Sequence, residues 1–267
     1  MNRIATGILV LILGTMLGCE HVTSIRDFVA PDPPRHVVTE AGDGFIDVYW
    51  NPNSETDVAG YNVFVGSSYD GPYELLGATT GVHFTHNDAR NGSTYYYAVT
   101  AYDYDGNESE LSTEEAYDIP RPEGYGRVLS NFRQVPGRSG YDFSSFNVVP
   151  YTDQSMDMYF EYSGGRYYMN VPEDTEIQEL GPTSSILDIR VAPSGGWSVT
   201  GDVELQTGRT YVVRTWDDHY AKFRVSSLSP SQVVFDWAYQ LQRSNPLMKH
   251  AAVTVGTRRV RLRDGAR

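Results

Sequence analysis

The histidines are the side chains of this sequence best suited to bind a metal ion or to exchange protons near neutral pH. His83 and His86 are the only close pair, and they accompany a run, Val82–Thr85, that predicts a β-strand. Residues three apart on a strand point to opposite faces, so the two rings are poorly placed to share one ion. We therefore expect both to be surface residues of a strand and predict no metal site.

His219 follows the acidic pair Asp217-Asp218 in a predicted turn. One interpretation is an ordinary turn residue, and the other is a cofactor-binding residue that ligates a metal ion or haem iron together with a methionine. The methionines considered as second ligand are Met156, Met158, Met169 and Met248. Methionines in a β-rich core are more often gap fillers, so the sequence favours the turn interpretation and leaves haem as the alternative.

Residues 103–108, Asp-Tyr-Asp-Gly-Asn-Glu, have the composition of a calcium-binding loop. An EF-hand loop needs its glycine at the sixth position and a glutamate at the twelfth, whereas the glycine here is fourth. Asp105-Gly106-Asn107 is also a strong turn signal. A turn between strands explains the segment, and a calcium site is the alternative.

Sequence motifs of the common enzyme classes are missing. The chain has no Gly-x-Ser-x-Gly, no His-Glu-x-x-His and no phosphate-binding loop. The two carboxylates of a glycosidase are placed by the fold and not by spacing, so the sequence leaves that chemistry open. We expect a protein that is not an enzyme.

Cys19 is the single cysteine, which rules out an intramolecular disulfide. It follows Arg3 and an apolar run, Ile4–Leu17, of 14 residues, the length of a signal-peptide core and too short for a spanning helix of about 20 residues. Met16-Leu17-Gly18-Cys19 resembles the lipobox of bacterial lipoproteins. The resemblance implies cleavage before Cys19 and its acylation, and Glu20 favours the outer membrane. An ordinary signal peptide is the alternative.

The charge balance limits the partners of the protein. The chain has a formal net charge of −13, and removal of residues 1–18 leaves 20 basic against 34 acidic residues, or −14. Nucleic-acid binding needs a basic surface, so we exclude nucleic acid as a partner. The roughly 250 remaining residues allow two domains, each with its own core.

Short alternating runs between turn residues, without long apolar stripes of helical period, predict an all-β fold. Prolines close the stretch before residue 35 and interrupt residues 119–123, where they discourage a continuous strand. The predicted parts are a signal peptide at 1–18, a tether at 19–32, a first domain at 33–119, a second β domain at 124–245, and an edge strand or tail at 246–267.

Strand patterns in the first domain resemble those of a fibronectin type III domain. Trp50 stands at the buried tryptophan of that family, Asp57–Val65 (DVAGYNVFV) at its third strand, and Asn91–Ser109 at its sixth strand and the following turn. The resemblance implies a seven-stranded immunoglobulin-like sandwich in which the Tyr95 hydroxyl bonds to upstream backbone. Ala89 departs from the leucine that is more usual before this corner.

The second domain shows further strand patterns. The predicted strands are 140–146, 156–162, 166–171, 210–216, 220–225 and 233–240, with a hairpin between 210–216 and 220–225. Tyr211–Val225 and Val233–Gln240 resemble the HmuY family of haem-binding surface lipoproteins. That family ligates haem through paired histidines or methionines, but those positions do not map onto this chain, so the resemblance supplies no ligand.

These observations predict a cell-envelope protein held by a lipid on Cys19 at the outer membrane, on its periplasmic face or at the cell surface. The expected function is a non-catalytic surface binding or adhesion module whose ligand is a protein, a glycan or haem. The alternatives are a haem carrier and a carbohydrate-binding accessory module. Residues 257–263 alternate and predict an edge strand with outward arginines, a contact with anionic lipid head groups, or a frayed terminus.

Overall fold

The structure is a computed structural model that describes residues 26–249. Cys19 and residues 250–267, which include the predicted edge strand at 257–263, lie outside the described residues. Within 26–249 the chain forms 17 β-strands and two one-turn 3-10 helices, at Pro136–Arg138 and Ile186–Asp188. The predicted all-β fold is confirmed. None of the helices in this part of the chain is long and apolar enough to cross a membrane.

Seven strands form the first sandwich. They are β1 (Arg35–Ala41), β2 (Phe45–Asn51), β3 (Val58–Gly66), β4 (Tyr73–Thr79), β5 (His83–Asn87), β6 (Tyr95–Asp103) and β7 (Ala116–Asp118). One sheet has the antiparallel order β1-β2-β5 and the other the order β4-β3-β6-β7. This is the seven-stranded, immunoglobulin-like sandwich that the resemblance to fibronectin type III domains implies.

The core of the first sandwich follows from strict alternation along its strands. Ile46, Val48 and Trp50 all point inward from β2 and are buried. Ala89 is also buried, and it precedes a corner in which the backbone N–H of Arg90 donates to the Tyr95 hydroxyl at 3.0 Å. The expected bond from this tyrosine to upstream backbone is present.

Ten strands form the second pair of sheets. They are β8 (Glu123–Ser130), β9 (Gly140–Asp142), β10 (Asn147–Val149), β11 (Met158–Ser163), β12 (Arg166–Asn170), β13 (Glu176–Pro182), β14 (Asp202–Glu204), β15 (Arg209–Arg214), β16 (Tyr220–Ser229) and β17 (Gln232–Gln240). The sheet orders are β10-β9-β11-β12-β14 and β13-β15-β16-β17-β8. Each sheet has five strands, and the larger core of the molecule lies between them.

Strand β16 shows how one sheet of this second pair faces two cores. Ala221, Phe223 and Val225 point into the large core, and Phe223 stacks on Tyr211 with ring centroids 5.0 Å apart. Lys222 points the other way and is also fully buried. A smaller cluster that includes Met248 covers this outer face.

Two predicted strands end earlier in the structure than their apolar patterns suggest. Residues 140–146 form a strand only to Asp142, because the Asp142 Oδ1 accepts the backbone N–H of Ser144 at 2.8 Å and bends the chain into a turn. The segment predicted at 210–216 ends at Arg214, which leaves Trp216 in the turn. The strand Glu176–Pro182 has no alternating apolar pattern that predicts it, because Ile177 is its only fully buried residue.

The linker between the two pairs of sheets is buried. Residues 119–122 form no strand, as the two prolines predict, and Arg121 is only 1% exposed. The Pro120 carbonyl accepts the Gly92 N–H at 2.8 Å on one side, and the Pro122 carbonyl accepts the Tyr239 N–H at 2.9 Å on the other. The linker backbone is therefore hydrogen-bonded to both sandwiches.

Candidate binding site at the Thr215–His219 turn

The β15–β16 hairpin, predicted from the sequence and confirmed, ends in a five-residue turn, Thr215–His219. The backbone N–H of Thr215 donates to the His219 carbonyl at 2.9 Å, and that of Asp218 donates to the Thr215 carbonyl at 2.9 Å. Asp218 adopts a φ of 67°, a conformation that aspartate tolerates better than most residues. These two backbone hydrogen bonds close the turn, with Trp216 at its tip.

Trp216 is the unusual residue of this turn, because its side chain is 61% exposed. By contrast, Trp50 and Trp237 are buried in the two main cores. A tryptophan ring offers a large flat apolar face, and covering that face with a ligand makes the free energy of binding more favourable. The position therefore suits a ligand with a flat C–H face and polar groups at its rim.

Asp217, the residue after Trp216, supplies a carboxylate to the turn. Its Oδ1 accepts the Thr215 hydroxyl at 2.6 Å, and its Oδ2 lies 3.1 Å from the His219 Nδ1. Burial alone would raise the pKa of Asp217, but the hydrogen bond from Thr215 and the contact with His219 lower it below the ordinary value. Asp217 is therefore ionised at neutral pH.

Asp218 is held on the other side of the turn. Its carboxylate accepts the Ser244 hydroxyl and the Arg214 Nε, the latter at 2.6 Å, and these two bonds lower the pKa of Asp218. Arg214 also bonds to Glu176 at 3.2 Å. The turn therefore carries two oriented carboxylates, each with lone pairs left to accept from a ligand.

Asp157 lies behind the turn and is only 1% exposed. Its Oδ2 accepts the Phe143 backbone N–H at 2.7 Å, whereas its Oδ1 has no hydrogen-bond partner among the described residues. Burial raises the pKa of Asp157 to about 7, and the neighbouring charges of Asp142, Asp217 and Asp174 add to the shift. This carboxyl group is partly protonated at neutral pH.

His219, the predicted cofactor-binding residue, packs its ring against Tyr239 with centroids 5.6 Å apart. Its Nδ1 faces Asp217. The four methionines considered as partners, Met156, Met158, Met169 and Met248, are all buried in the hydrophobic interior. A role for His219 as a haem or metal ligand stays a prediction.

The histidine pair of the first sandwich has separate partners. His83 Nε2 lies 2.9 Å from the Asp47 Oδ1, whereas His86 Nδ1 lies 2.8 Å from the Tyr97 hydroxyl. Their partners come from different sheets, because Asp47 belongs to β2 and Tyr97 to β6. The structure does not bring the two histidines together.

A carboxylate cluster lies beside the 103–108 turn. Oxygens of Asp27, Asp57 and Asp103 all lie within 4.8 Å of one another and could hold a cation. Asp103 Oδ1 also accepts the backbone N–H groups of Asp105 and Asn107, at 2.9 and 2.8 Å, which explains the turn without a metal. The three aspartates come from distant positions in the sequence, so spacing within the loop could not reveal the cluster.

Sequence reasoning missed the two residues that distinguish the hairpin turn. The apolar character of Trp216 continues the pattern of β15 and predicts a strand there, whereas the structure places Trp216 in the turn. Asp157 has no signal of its own, since only the fold buries it behind the turn. The sequence does contain one signal: an aromatic residue that directly precedes the turn-forming pair Asp217-Asp218 can lie in the turn with its ring exposed.

Part of the chain is similar in sequence to short segments of large enzymes. No family profile matches it. An amylopullulanase of Thermoanaerobacterium saccharolyticum is 33% identical over 138 residues, which are 51% of this chain and 10% of that protein. An amylopullulanase of Thermoanaerobacter thermohydrosulfuricus is 36% identical over 115 residues, 42% of this chain and 8% of that protein. The chain thus spans about a tenth of the length of these relatives.

Solved structures similar to the chain include fibronectin type III domains. An Fn3-like protein from Clostridium thermocellum is 26% identical, covers 36% of this chain and 97% of its own, and has a TM-score of 0.29. A β-1,2-glucanase from Parabacteroides distasonis is 28% identical, covers 38% of this chain and 14% of its own, and has a TM-score of 0.32.

Proposed function

We propose that this protein is a non-catalytic accessory module that binds carbohydrate through the Thr215–His219 turn. The observation that carries the proposal is Trp216, a tryptophan held 61% exposed at the tip of an ordered turn. The relation to short segments of amylopullulanases supports carbohydrate as the ligand class. Because those segments are about a tenth of each enzyme, they favour an accessory role over catalysis.

The chemistry of the turn fits a sugar ring. A pyranose has an apolar C–H face that can lie on the indole of Trp216, where it releases ordered water from both surfaces. Its equatorial hydroxyl groups can then donate to the ionised Asp217 and Asp218, whose orientations are fixed by Thr215 and Arg214. Fixed acceptors lose little conformational entropy on binding, which favours affinity.

The place of action belongs to the same proposal. A leader of signal-peptide length and a lipobox-like Met16–Cys19 support a lipid anchor at the outer membrane. An anchored module of this kind would collect polysaccharide at the envelope for a separate enzyme. A general adhesion surface and a haem carrier are the competing functions, and binding measurements separate them.

Affinity electrophoresis of the non-lipidated chain, residues 20–267, tests the proposal. Gels containing pullulan, starch, xylan or no polysaccharide are run side by side, and the same samples are assayed for released reducing sugar. We expect retarded migration in at least one polysaccharide, first in pullulan or starch, without sugar release. Unchanged migration in all gels would contradict carbohydrate binding, and sugar release would contradict the non-catalytic role.

Haem titration of the same sample addresses the competing carrier. The proposal predicts no Soret shift that depends on His219. A shift at micromolar haem that disappears in His219→Ala, together with unretarded migration in every gel, would replace the accessory module by the carrier.

A further inference from the structure

The segment after β17, residues 241–249, crosses from the second sandwich to the first, and we call it the strap. Gln242 Nε2 donates to the Gly92 carbonyl at 2.9 Å and to the Thr94 Oγ1 at 3.2 Å. Leu241 packs so closely on Gly92 that a Cβ there would lie 3.1 Å from the Leu241 Cβ. Gly92 also has a φ of 81°, so glycine suits the position on both grounds.

The same strap holds the Trp216 turn. The Ser244 backbone N–H donates to the Asp218 carbonyl at 2.7 Å, and its hydroxyl donates to the Asp218 carboxylate. Asn245 Nδ2 donates to the Gln242 Oε1 at 2.8 Å, which ties the two halves of the strap together. A continuous path of contacts therefore runs from Gly92 in the first sandwich to Asp218 in the turn.

The far end of the strap is fixed as well. The Met248 N–H donates to the Arg190 carbonyl at 2.7 Å, and the Met248 side chain is fully buried. Lys249 Nζ then donates to Glu40 of the first sandwich at 3.0 Å. The strap therefore contacts the first sandwich both before Ser244, through Gln242, and after it, through Lys249. These two contacts restrict the movement of the strap.

We propose that the first sandwich is a positioning element for the Trp216 turn and not only a spacer, and that Gln242 transmits this effect through the strap. The turn depends on outside support because Asp218 occupies the left-handed region and its carboxylate is shared between Arg214 and Ser244. Loss of the Gln242 contacts leaves Ser244 supported only from the Met248–Lys249 side, and Trp216 then samples more orientations. The inference about affinity rests on the proposed carbohydrate function, whereas the coupling of conformation does not.

The test compares Gln242→Ala with Gln134→Ala, a matched change at an exposed glutamine in the segment that follows β8. Both variants of the 20–267 chain are labelled with 5-fluorotryptophan, and the Trp216 resonance is assigned by Trp216→Phe. We expect Gln242→Ala to shift or broaden the Trp216 fluorine signal and to weaken polysaccharide binding about tenfold. Unchanged Trp50 and Trp237 signals show that both cores remain folded.

Two results would overturn the inference. One is a Trp216 signal in Gln242→Ala that matches the wild type or is matched by Gln134→Ala. The other is a wild type that binds polysaccharide and a Gln242→Ala variant that binds equally well. If both cores lose their signals, Thr94→Val replaces Gln242→Ala, since it removes one acceptor of Gln242 and leaves the strap sequence intact. A wild type that binds no polysaccharide contradicts the proposed function alone, because the fluorine comparison still tests the coupling.

Discussion

At the scale of single residues, Asp157 makes the stability of the protein depend on pH. Its folded pKa of about 7 exceeds the ordinary value of 3.8, because burial disfavours the charged carboxylate. The folded protein therefore binds this proton more tightly than the unfolded chain between these two values. The contribution of protonated Asp157 to the free energy of unfolding is complete below about pH 4 and is lost as the pH rises through 7.

Asp157→Asn is expected to remove that dependence, since the amide stays neutral and its oxygen can still accept the Phe143 N–H. Urea denaturation should show equal stability with the wild type at pH 4 and a gain of about 1–2 kcal/mol at pH 8. Asp153→Asn is the control: hydrogen bonds from Ser155 lower the pKa of Asp153, so its stabilisation is lost only below about pH 4 and the change should have nearly the same effect at pH 4 and pH 8. A gain for Asp157→Asn that is larger at pH 4 would refute this account.

Lys222 has the opposite dependence. It is fully buried and donates to the Ile189 carbonyl at 2.8 Å, and burial lowers its pKa from 10.5 to about 6, with the nearby Arg121 charge adding to the shift. Between these values only the unfolded chain holds the proton, so stability rises with pH from 6 to 10.5.

Lys222→Met should therefore stabilise the protein most at pH 6, by about 1–3 kcal/mol, because methionine fills the site without a desolvation cost. The advantage should shrink by pH 10, where the wild type no longer pays that cost. Thermal and urea unfolding at the two pH values measure the difference. An advantage that grows with pH would contradict the buried, neutral lysine.

At the scale of elements, the Tyr95 corner ties β6 to the chain that precedes it. The single hydrogen bond from the Arg90 N–H to the Tyr95 hydroxyl is 3.0 Å long. Tyr95→Phe keeps the ring and removes the acceptor, so we expect a loss of about 1 kcal/mol in the free energy of unfolding. Tyr104→Phe, at a ring that is 80% exposed, should change stability by less than about 0.5 kcal/mol. Equal effects of the two changes would show that the corner bond contributes nothing.

The elements also show what the sequence could predict. Alternation places Ile46, Val48 and Trp50 on one face, because a half-buried strand has a period of two, and this predicts the first sandwich well. The end of a strand is decided by local side-chain bonds instead, such as those that Asp142 makes to the next backbone groups. A prediction from apolar character alone therefore continues these strands too far, through Phe143 in one case and Trp216 in the other.

The candidate site was less predictable than the fold for a related reason. Strand pairing and the strap bring Asp157, Asp217 and Ser244 to one end of the second sandwich, although they are far apart in the chain. The Asp27, Asp57 and Asp103 cluster arises in the same way. Periodicity predicts which side of a strand is buried, but it does not say which distant loops meet at its ends.

At the scale of the whole molecule, the lipid anchor stays a prediction that one substitution tests. Cys19→Ser removes the thiol that the lipobox-like sequence marks for acylation. We expect the variant to lose incorporation of labelled fatty acid and to leave the membrane fraction, because the acyl chains supply the membrane affinity. Persistent labelling, or membrane association equal to the wild type, would contradict the anchor.

The central claim is that an ordered turn presents Trp216 to carbohydrate. Isothermal titration of the 20–267 chain, with whichever polysaccharide retards the wild type, tests it most directly when wild type, Trp216→Ala and Tyr104→Ala are compared. The account predicts at least a tenfold weaker affinity for Trp216→Ala, with an unchanged unfolding temperature, and an unchanged affinity for Tyr104→Ala. Wild-type affinity in Trp216→Ala would contradict the site, and an equal loss in both variants would contradict its specificity.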